Sequence, residues 1–571
     1  MKLPTTRLLL IPLAIVVGGI AIFLTISHVI IPLFLWFSPT LNPYLYDWGL
    51  YGAFPSQTFI TNGFASPRIV TIKEEGGCDG GLVFLTIQGD SVRQGGPAIF
   101  NSKNQLVWAT TDYKYTMNFQ PQLYQGKQYL TFWSGRKEGT LGLGSYYMLD
   151  ESYRVAHEVS AVGDNLHGDL HEFKITQDDT ALMTFYNVTP ADLSSLGKFS
   201  NGWLIDSGFQ EVDIETGNLL FEWRASDHFQ VSETFMTNPF GGYIKSIPFD
   251  FFHINSVDKD SQGNYLISSR HTHTITCISP KGETLWILGG ERNQFEDLSG
   301  GDALNFRWQH DARWVSEEEG IITLFDNKEA GPLHVDGPYS RGMMLKLDIA
   351  HKTVTLLHDY VSLQQGRAPS QGSVQFLREK NHVFVGWGHY PALSEFDADG
   401  NLLCETHYGA SRLHFFGRVV SYRAFKNSDW VGKPLDPPVA KIQDQTLFVS
   451  WNGATEVSAW TLQGAEAQDG ENEFIDLDIV DKDEFEESFD LSSLTGYSRF
   501  RVAALDKNGQ LLGLSPVVTP QREGGWWSFL LVVFLWALVI RAGWSGYKWL
   551  SNRSDRIGLS WKGYLPLRNS A

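Results

Sequence analysis

The feature that most narrows the folds open to this 571-residue chain is an internal repeat: an apolar strand, a polar turn, and a second strand of the form apolar-Asp-x-x-x-Gly-x-Leu. It occurs six times. First strands centre on residues 82–87, 128–133, 181–186, 264–270, 321–326 and 382–387, with partners at 98–109, 146–157, 212–223, 276–288, 344–358 and 393–407. Spacings of roughly 45 to 80 residues suit propeller blades, which need about 40 to 50 residues each. The series contains no long amphipathic pattern, which argues against a doubly wound α/β fold and leaves a pair of β-sandwiches as the alternative. Closing the repeats into a ring leaves no long unprotected sheet edge, with residues 68–73 and 418–425 expected to complete one blade jointly. The chain therefore reads as all-β, a six-bladed β-propeller over residues 46–435. Its 55 glycines and 13% aromatic residues fit many short strands joined by tight turns.

After Pro434-Leu-Asp-Pro-Pro the pattern changes to the alternating strands of a small β-sandwich over residues 437–520, expected to be separable behind its stiff, proline-rich boundary. Lys2 and Arg7 precede an apolar run at 8–37, so residues 1–40 read as a signal anchor or transmembrane helix, a cleaved signal peptide being the alternative. A second apolar run within 525–545 precedes a tail, 546–571, rich in Lys and Arg. By the positive-inside rule the tail is cytosolic, and the expectation is a protein with two spanning segments in a membrane of the secretory pathway or cell surface, its propeller lumenal or extracellular. Asn187-Val-Thr is then a usable glycosylation acceptor, whereas Asn552-Arg-Ser lies on the wrong side. A net charge of −19 argues against nucleic acid as a partner. Three cysteines, Cys78, Cys277 and Cys404, allow at most one internal bridge, and the sequence leaves open which.

The chemistry is expected on the ring. About twelve residues before the middle of three repeated strands stand His171, His253 and His310, and equivalent positions in successive blades face the same end of the central channel. One channel histidine is usually structural; three at one repeat phase point to a site. Arg270 and His271 end a strand beside them, Asn255 follows His253, Asn327 ends the Leu324-Phe-Asp-Asn strand, and Arg341 follows Tyr339-Ser340. Such a set suits a small anionic ligand such as sulfate or phosphate, because guanidinium donates paired hydrogen bonds and imidazole moves a proton or attacks as a nucleophile near neutrality. For each arginine alone, a salt bridge between blades is the plainer reading. Three histidines could also hold zinc with an open fourth position, but no close ligand pair fixes the distances, so no metal and no cofactor are assigned.

The motifs His253-Ile-Asn-Ser-Val-Asp, Ile267-Ser-Ser-Arg-His, Trp286-Ile-Leu-Gly, Gln309-His310, Phe325-Asp-Asn and Tyr339-Ser-Arg resemble those of the aryl sulfotransferase family of six-bladed propellers, over roughly residues 65–430. The resemblance implies transfer of a sulfuryl group from a phenolic sulfate to a phenol through a sulfohistidine, without a nucleotide sulfate donor. It gives His253 and His310 the roles of polarising the ester oxygen and steadying charge on the transferring group. It places the nucleophile in the last blade, where Gly386-Trp-Gly-His-Tyr-Pro makes His389 the candidate. Where bacterial members continue Phe-Asp-Asn with a run that supplies an arginine, this chain has Lys328-Glu-Ala-Gly, leaving Arg341 as the nearby substitute. The layout looks more like the eukaryotic, largely fungal branch, and the sandwich resembles a fibronectin type III module. A propeller that binds glycans, proteins or a small anion without turnover is the alternative function.

Overall fold

Each repeated strand pair is the middle of a larger antiparallel sheet in the computed structural model, which describes residues 40–113, 115–416, 419–466 and 473–520 with scattered positions between 16 and 30 and residue 541. The chain forms two units, Met1–Val518 and Thr519–Ala571, and all that follows concerns the first. Blade 1 joins Leu82–Gln88, Gly96–Phe100 and Leu106–Ala109 to Val420–Asn427 from the far end of the ring. Blade 2 is Thr116–Tyr124, Lys127–Glu138, Leu141–Leu149 and Val155–Val159; blade 3 is Phe173–Ile175, Thr180–Ala191, Gly202–Asp213 and Leu219–Arg224. Blade 4 comprises Ile254–Lys259, Tyr265–Ser269, Thr274–Ile278 and Thr284–Gly289, and blade 5 His310–Ser316, Ile321–Asp326, Arg341–Asp348 and Thr353–Tyr360. Blade 6 runs Ser373–Leu377, His382–Gly386, Ala392–Phe396 and Leu402–His407, with Val70–Glu74 added on its outside.

Two expectations are corrected here. The repeated "first" strands are second strands, because each blade begins with an inner strand whose polar, channel-facing residues hide its apolar pattern. Residues 68–73 and 418–425 do not share a blade: the first segment pairs with Leu402–His407 in blade 6, the second with Leu82–Gln88 in blade 1. The ring closes where Ser373–Leu377 meets Val420–Asn427, and the Ser373 hydroxyl donates to the Ala424 carbonyl at 3.0 Å.

Middle strands such as Tyr265–Ser269 and Thr274–Ile278 are buried along their whole length. Strands packed on both faces read as continuous apolar runs, and between blades 4 and 5 Leu266, Ile275, Trp286, Phe306, Ile322 and Leu345 fill the wedge. The repeat's Asp and Gly belong to its turns. The Asp397 carboxylate accepts the amides of Asp399 and Asn401 at 3.0 and 2.8 Å, while Gly400 takes a φ of 84° that a side chain would resist.

At the channel core the blades are tied by buried charge. Arg423 of blade 1 donates to Glu172 of blade 3 at 3.0 Å, to the Asn118 side-chain oxygen of blade 2 at 2.9 Å and to the Asn255 carbonyl of blade 4 at 2.7 Å. Arg313 of blade 5 pairs with both Glu172 and Asp311, and Asp311 accepts the Val374 amide of blade 6 at 3.1 Å. All six inner strands thus meet in one network of two cations and two anions. Burial alone would raise the Glu172 carboxyl, but Arg313 and Arg423 outweigh it and hold it below its ordinary value.

The sandwich sets Val439–Gln443, Thr446–Ser450 and Glu486–Asp490 against Ile475–Asp481, Ala459–Ala465, Arg499–Leu505 and Leu511–Leu514, around Leu447, Trp460, Leu462, Phe489 and Val502. It is not the free-standing module expected. Its Phe485 enters the core of blade 1 with a ring 4.5 Å from Phe59, Glu486 accepts the Ile60 and Thr61 amides, and Asn452 exchanges two hydrogen bonds with the Ala109 backbone. The single bridge joins Cys78 to Cys404 across 326 residues of sequence and fastens the loop after Val70–Glu74 to the strand it pairs with; Cys277 is buried and free. In the chain-entropy model a loop of that length is worth about 6 kcal/mol.

The expected membrane location is also corrected: among the described residues no helix is long and apolar enough to cross a membrane. Both apolar runs, at 8–37 and within 525–545, and the basic tail lie outside the described residues apart from scattered positions.

Replacing Arg423 by Met, similar in length but uncharged, leaves Glu172 and Asp311 short of one cation in the channel. Chemical unfolding should show a loss of about 3–5 kcal/mol, and a loss under about 1 would mean the network is dispensable. Removing the sandwich, by ending the chain after Asp436, should lower the melting temperature of the remaining ring, because Phe59 and Phe64 lose their cover.

Candidate functional site

His171, His253 and His310 converge as the repeat phase implies: all three line one cavity of about 150 Å³ at the channel mouth, with Lys137, Arg270, Gln371 and Tyr422. His171 stands two residues before the inner strand of blade 3. Its Nδ1 faces Asp169 Oδ2 at 2.5 Å, and that carboxylate is itself fixed by the His171 amide at 3.1 Å and by Gly142 N on its other oxygen at 2.7 Å. His253 precedes the inner strand of blade 4 with a φ of 58°, a left-handed conformation that a non-glycine residue adopts only where its surroundings impose it. Its Nδ1 faces Asp250 Oδ2 at 2.6 Å. The two imidazoles lie 4.8 Å apart, edge to face. A carboxylate opposite Nδ1 keeps the proton there, so the Nε2 lone pair of each ring is left for other work.

His310 is held differently. Its Nδ1 donates to Asn327 Oδ1 at 2.7 Å, while Nε2 accepts the Gln371 amide at 3.2 Å, so both nitrogens are engaged. His271 lies 4.6 Å from His253, donates Nδ1–H to the Asp250 carbonyl at 2.9 Å and accepts from Arg270 on Nε2 at 3.0 Å. Arg270 also donates to the Pro369 carbonyl at 2.8 Å and covers the face of Trp308.

Burial pushes His253, His271 and His310 well below the ordinary imidazole value, and the nearby Arg270 adds to the effect. Burial also lowers Arg270, to about 10, against the pull of Asp250. These imidazoles are therefore neutral at neutral pH beside a guanidinium that stays charged. The buried Nε of Arg270 and hydroxyl of Tyr422 have no protein hydrogen-bond partner among the described residues. Both are donors, which suits an acceptor-rich ligand. Asp250, His253 and His271 offer metal-ligand atoms within 4.8 Å of one another. A cation there would face the Arg270 guanidinium, already bonded to His271, so the electrostatics favour an anion.

The remaining sequence candidates fall outside the cavity wall. Asn255 bridges blades 4 and 5 through the Gln309 carbonyl at 2.7 Å. Asn327 positions His310 and donates to the carbonyls of Ala368 and Gln371. Arg341, expected from the sequence to serve as a site arginine, is engaged elsewhere: Asp326 holds its Nε at 3.1 Å and the carbonyls of Asp302 and Asn305 take its Nη2. Lys328 is likewise drawn to Asp326, at 3.8 Å. His389 follows His382–Gly386, its amide bonded to the Ser370 carbonyl, and burial lowers it to about 4, but its side chain is not on the cavity wall. Asn187 lies within the strand Thr180–Ala191, half-buried opposite Asp206, rather than in a loop. Sequence reasoning missed Asp169 and Asp250, although each stands two or three residues before its histidine. It missed Lys137 and Tyr422 for want of any local signal, since other blades deliver them.

The family model described as Arylsulfotransferase (ASST) matches residues 120–409, half of the chain. No curated protein matches it in sequence. Among solved structures, a Bacteroides caccae protein of unknown function is similar at 13% identity and a TM-score of 0.34, covering 61% of this chain and 99% of its own. The periplasmic gluconolactonase of Pseudomonas aeruginosa is similar at 12% identity and a TM-score of 0.32, over 77% of this chain and 96% of its own. Likenesses this slight have no bearing on chemistry.

The depressed cavity histidines set a pH dependence. In the unfolded chain they bind protons below about pH 6.5, while in the folded chain they do not until far lower. Stability should therefore fall as pH drops through that range, by up to about 1.4 kcal/mol per unit for each histidine. His407, raised by Asp47 and Glu405 despite its burial, acts in the opposite sense and only above about pH 6.5. Urea unfolding at pH 7.5 and 5.5 measures the slope, and equal stability at both would contradict the neutral assignment.

Proposed function

The chain belongs to the arylsulfotransferase family, and on that premise we propose that it moves a sulfuryl group from a phenolic sulfate ester to a phenol at the channel mouth, through a sulfohistidine. The supporting observation is the pair of imidazoles, His171 and His253, each fixed through Nδ1 by a carboxylate and both facing one cationic cavity.

His253 is the nucleophile in this reading, being neutral, oriented by Asp250 and held beside Arg270. Its Nε2 lone pair forms the N–S bond as the S–O bond to the aryl group breaks, and the departing pair stays on the aryl oxygen, which leaves as the phenolate; His171 keeps its Nε2 lone pair for the second half, and the proton it then gains passes to water. In the second half an acceptor phenol gives its proton to His171 and attacks sulfur, and the N–S electrons return to His253. Arg270 steadies the charge on sulfuryl oxygens, and His310 holds the blade 6 loop at Gln371 rather than reacting. The seven-stranded sandwich fits a fibronectin type III-like module in the same reading, and the layout fits the fungal-type branch.

A propeller that holds a sulfate-like anion without turnover is the second reading, favoured by one observation: both nitrogens of His310 are already satisfied. Incubation with 4-nitrophenyl sulfate and a phenol separates the two. Transfer should appear as nitrophenolate release with sulfonation of a peptide containing His253, and His253→Ala should lose about a hundredfold to ten-thousandfold in rate. Sulfonation of a His389 peptide instead would move the nucleophile to blade 6, and tight sulfate binding without release would favour the binder.

A further inference from the structure

The hairpin of Lys127–Glu138 and Leu141–Leu149 is longer than its place in blade 2 requires: twelve residues face nine, where the middle strands of blade 4 have five each. The excess carries its end over the channel mouth. There it is pinned to the segment that bears His171: Gly142 N donates to Asp169 at 2.7 Å, Gly144 N to the Gly168 carbonyl at 3.1 Å, and the Trp133 indole to that same carbonyl at 2.8 Å. A side chain at position 142 would not fit, since its Cβ would come within 2.5 Å of the Leu170 amide.

Alternation along the strand then sorts the end of the hairpin. Arg136 and Glu138 share one face and pair with each other at 2.8 Å, so Lys137 is turned to the other. Lys137 lines the cavity with His171, His253 and Arg270. Its charge, with that of Arg270, helps depress His253 and also reaches His389. Among the described residues its side chain has no hydrogen bond or ion pair. The other cations near the mouth are engaged: Arg341 and Lys328 by Asp326, Arg307 by the carbonyls of Leu304 and Phe306, and both Nη groups of Arg270 by His271 and Pro369.

We infer that Lys137 is a second cation, beside Arg270, that takes the non-bridging oxygens of an aryl sulfate. The inference rests on the sulfuryl-transfer reading for its substrate and on the hairpin geometry for its residue. An ammonium is a compact charge with three donors, and a sulfuryl group in transit presents three oxygens that carry its charge. Burial lowers the Lys137 ammonium from its ordinary value while Asp169 opposes this, and its role here is to bind oxygens, outside the proton balance of the two half-reactions. Delivery from a hairpin end also sets the range of substrates: the sulfate enters the cavity beneath Lys137, and the aryl ring remains towards the open mouth.

The test uses the full chain with Lys137→Met, which keeps the stem and removes the charge, and Lys137→Arg, which restores a cation. Both should fold as the parent does, since the side chain is exposed and unpaired, and melting temperature checks this. With 4-nitrophenyl sulfate, Lys137→Met should lose about tenfold to a thousandfold in kcat/KM and Lys137→Arg should recover most of it. Independently of turnover, inorganic sulfate should protect the cavity histidines of the parent from diethyl pyrocarbonate, and Lys137→Met should need at least about tenfold more sulfate. Parental behaviour of Lys137→Met in both assays overturns the inference and leaves the transfer reading intact. Sulfate protection lost in Lys137→Met, in a parent that transfers nothing, sustains the anion ligand and overturns the transfer reading. Absence of protection in the parent overturns the inference itself.

Discussion

The ring depends on the ion pairs at its centre. A propeller's inner strands converge on an axis where backbone edges and short side chains leave a narrow polar shaft, and an apolar filling cannot bond to all the groups exposed there. Glu172, Asp311, Arg313 and Arg423 fill it with equal numbers of opposite charges, and each touches neighbouring blades. Such a cluster is tolerable in a dry interior only when complete, because any single charge left alone would be far too expensive to bury. That completeness fixes the relative heights of the blades, and the three cavity histidines stand at the starts of strands whose heights are fixed in this way.

Above the cluster the same low-dielectric interior works to a different end. An imidazole held by a carboxylate at Nδ1, as His253 is by Asp250, would normally be a good proton acceptor, yet burial and the adjacent guanidinium keep it neutral. The result is an unprotonated nitrogen beside a permanent positive charge, a combination that attracts an anion and can then react with it. The mouth is completed by parts far apart in sequence: Lys137 comes from blade 2 and Tyr422 from the last strand of the ring. Closure of the ring is therefore also closure of the site. The Cys78–Cys404 bond and the shared core of blade 1 with Phe485 brace the two blades where the ends of the ring meet.

Much of this was legible in the residues. The period of the repeat located every second strand, because those strands are buried on both faces and must read as apolar runs; the partner segments ran across the turn between third and fourth strands, and in blade 3 residues 212–223 took in only the end of Gly202–Asp213. Repeat phase placed His171, His253 and His310 at one end of the channel, and the cavity holds all three. The inner strands went unread, since the charges and amides that cross-link the shaft replace the apolar residues a pattern would reveal. Arg341 was misassigned for a related reason: a cation next to a motif is indistinguishable in sequence from a cation paired beneath it, and only Asp326 decides between them.

The sequence by itself determined the all-β architecture, the number of blades and the phase of the histidines, because each follows from local rules of burial and turn chemistry that repeat along the chain. The tertiary structure alone decided which cations are free, which nitrogen of each imidazole is spent, which two of three cysteines meet, and that the sandwich is docked to blade 1. Those depend on side chains brought together across 50 to more than 300 residues, as Asn255 to Gln309 and Arg423 to Asn118 illustrate. Hydrogen bonds and ion pairs are satisfied by whatever partner lies within about 3 Å in space, and local sequence does not record distance of that kind.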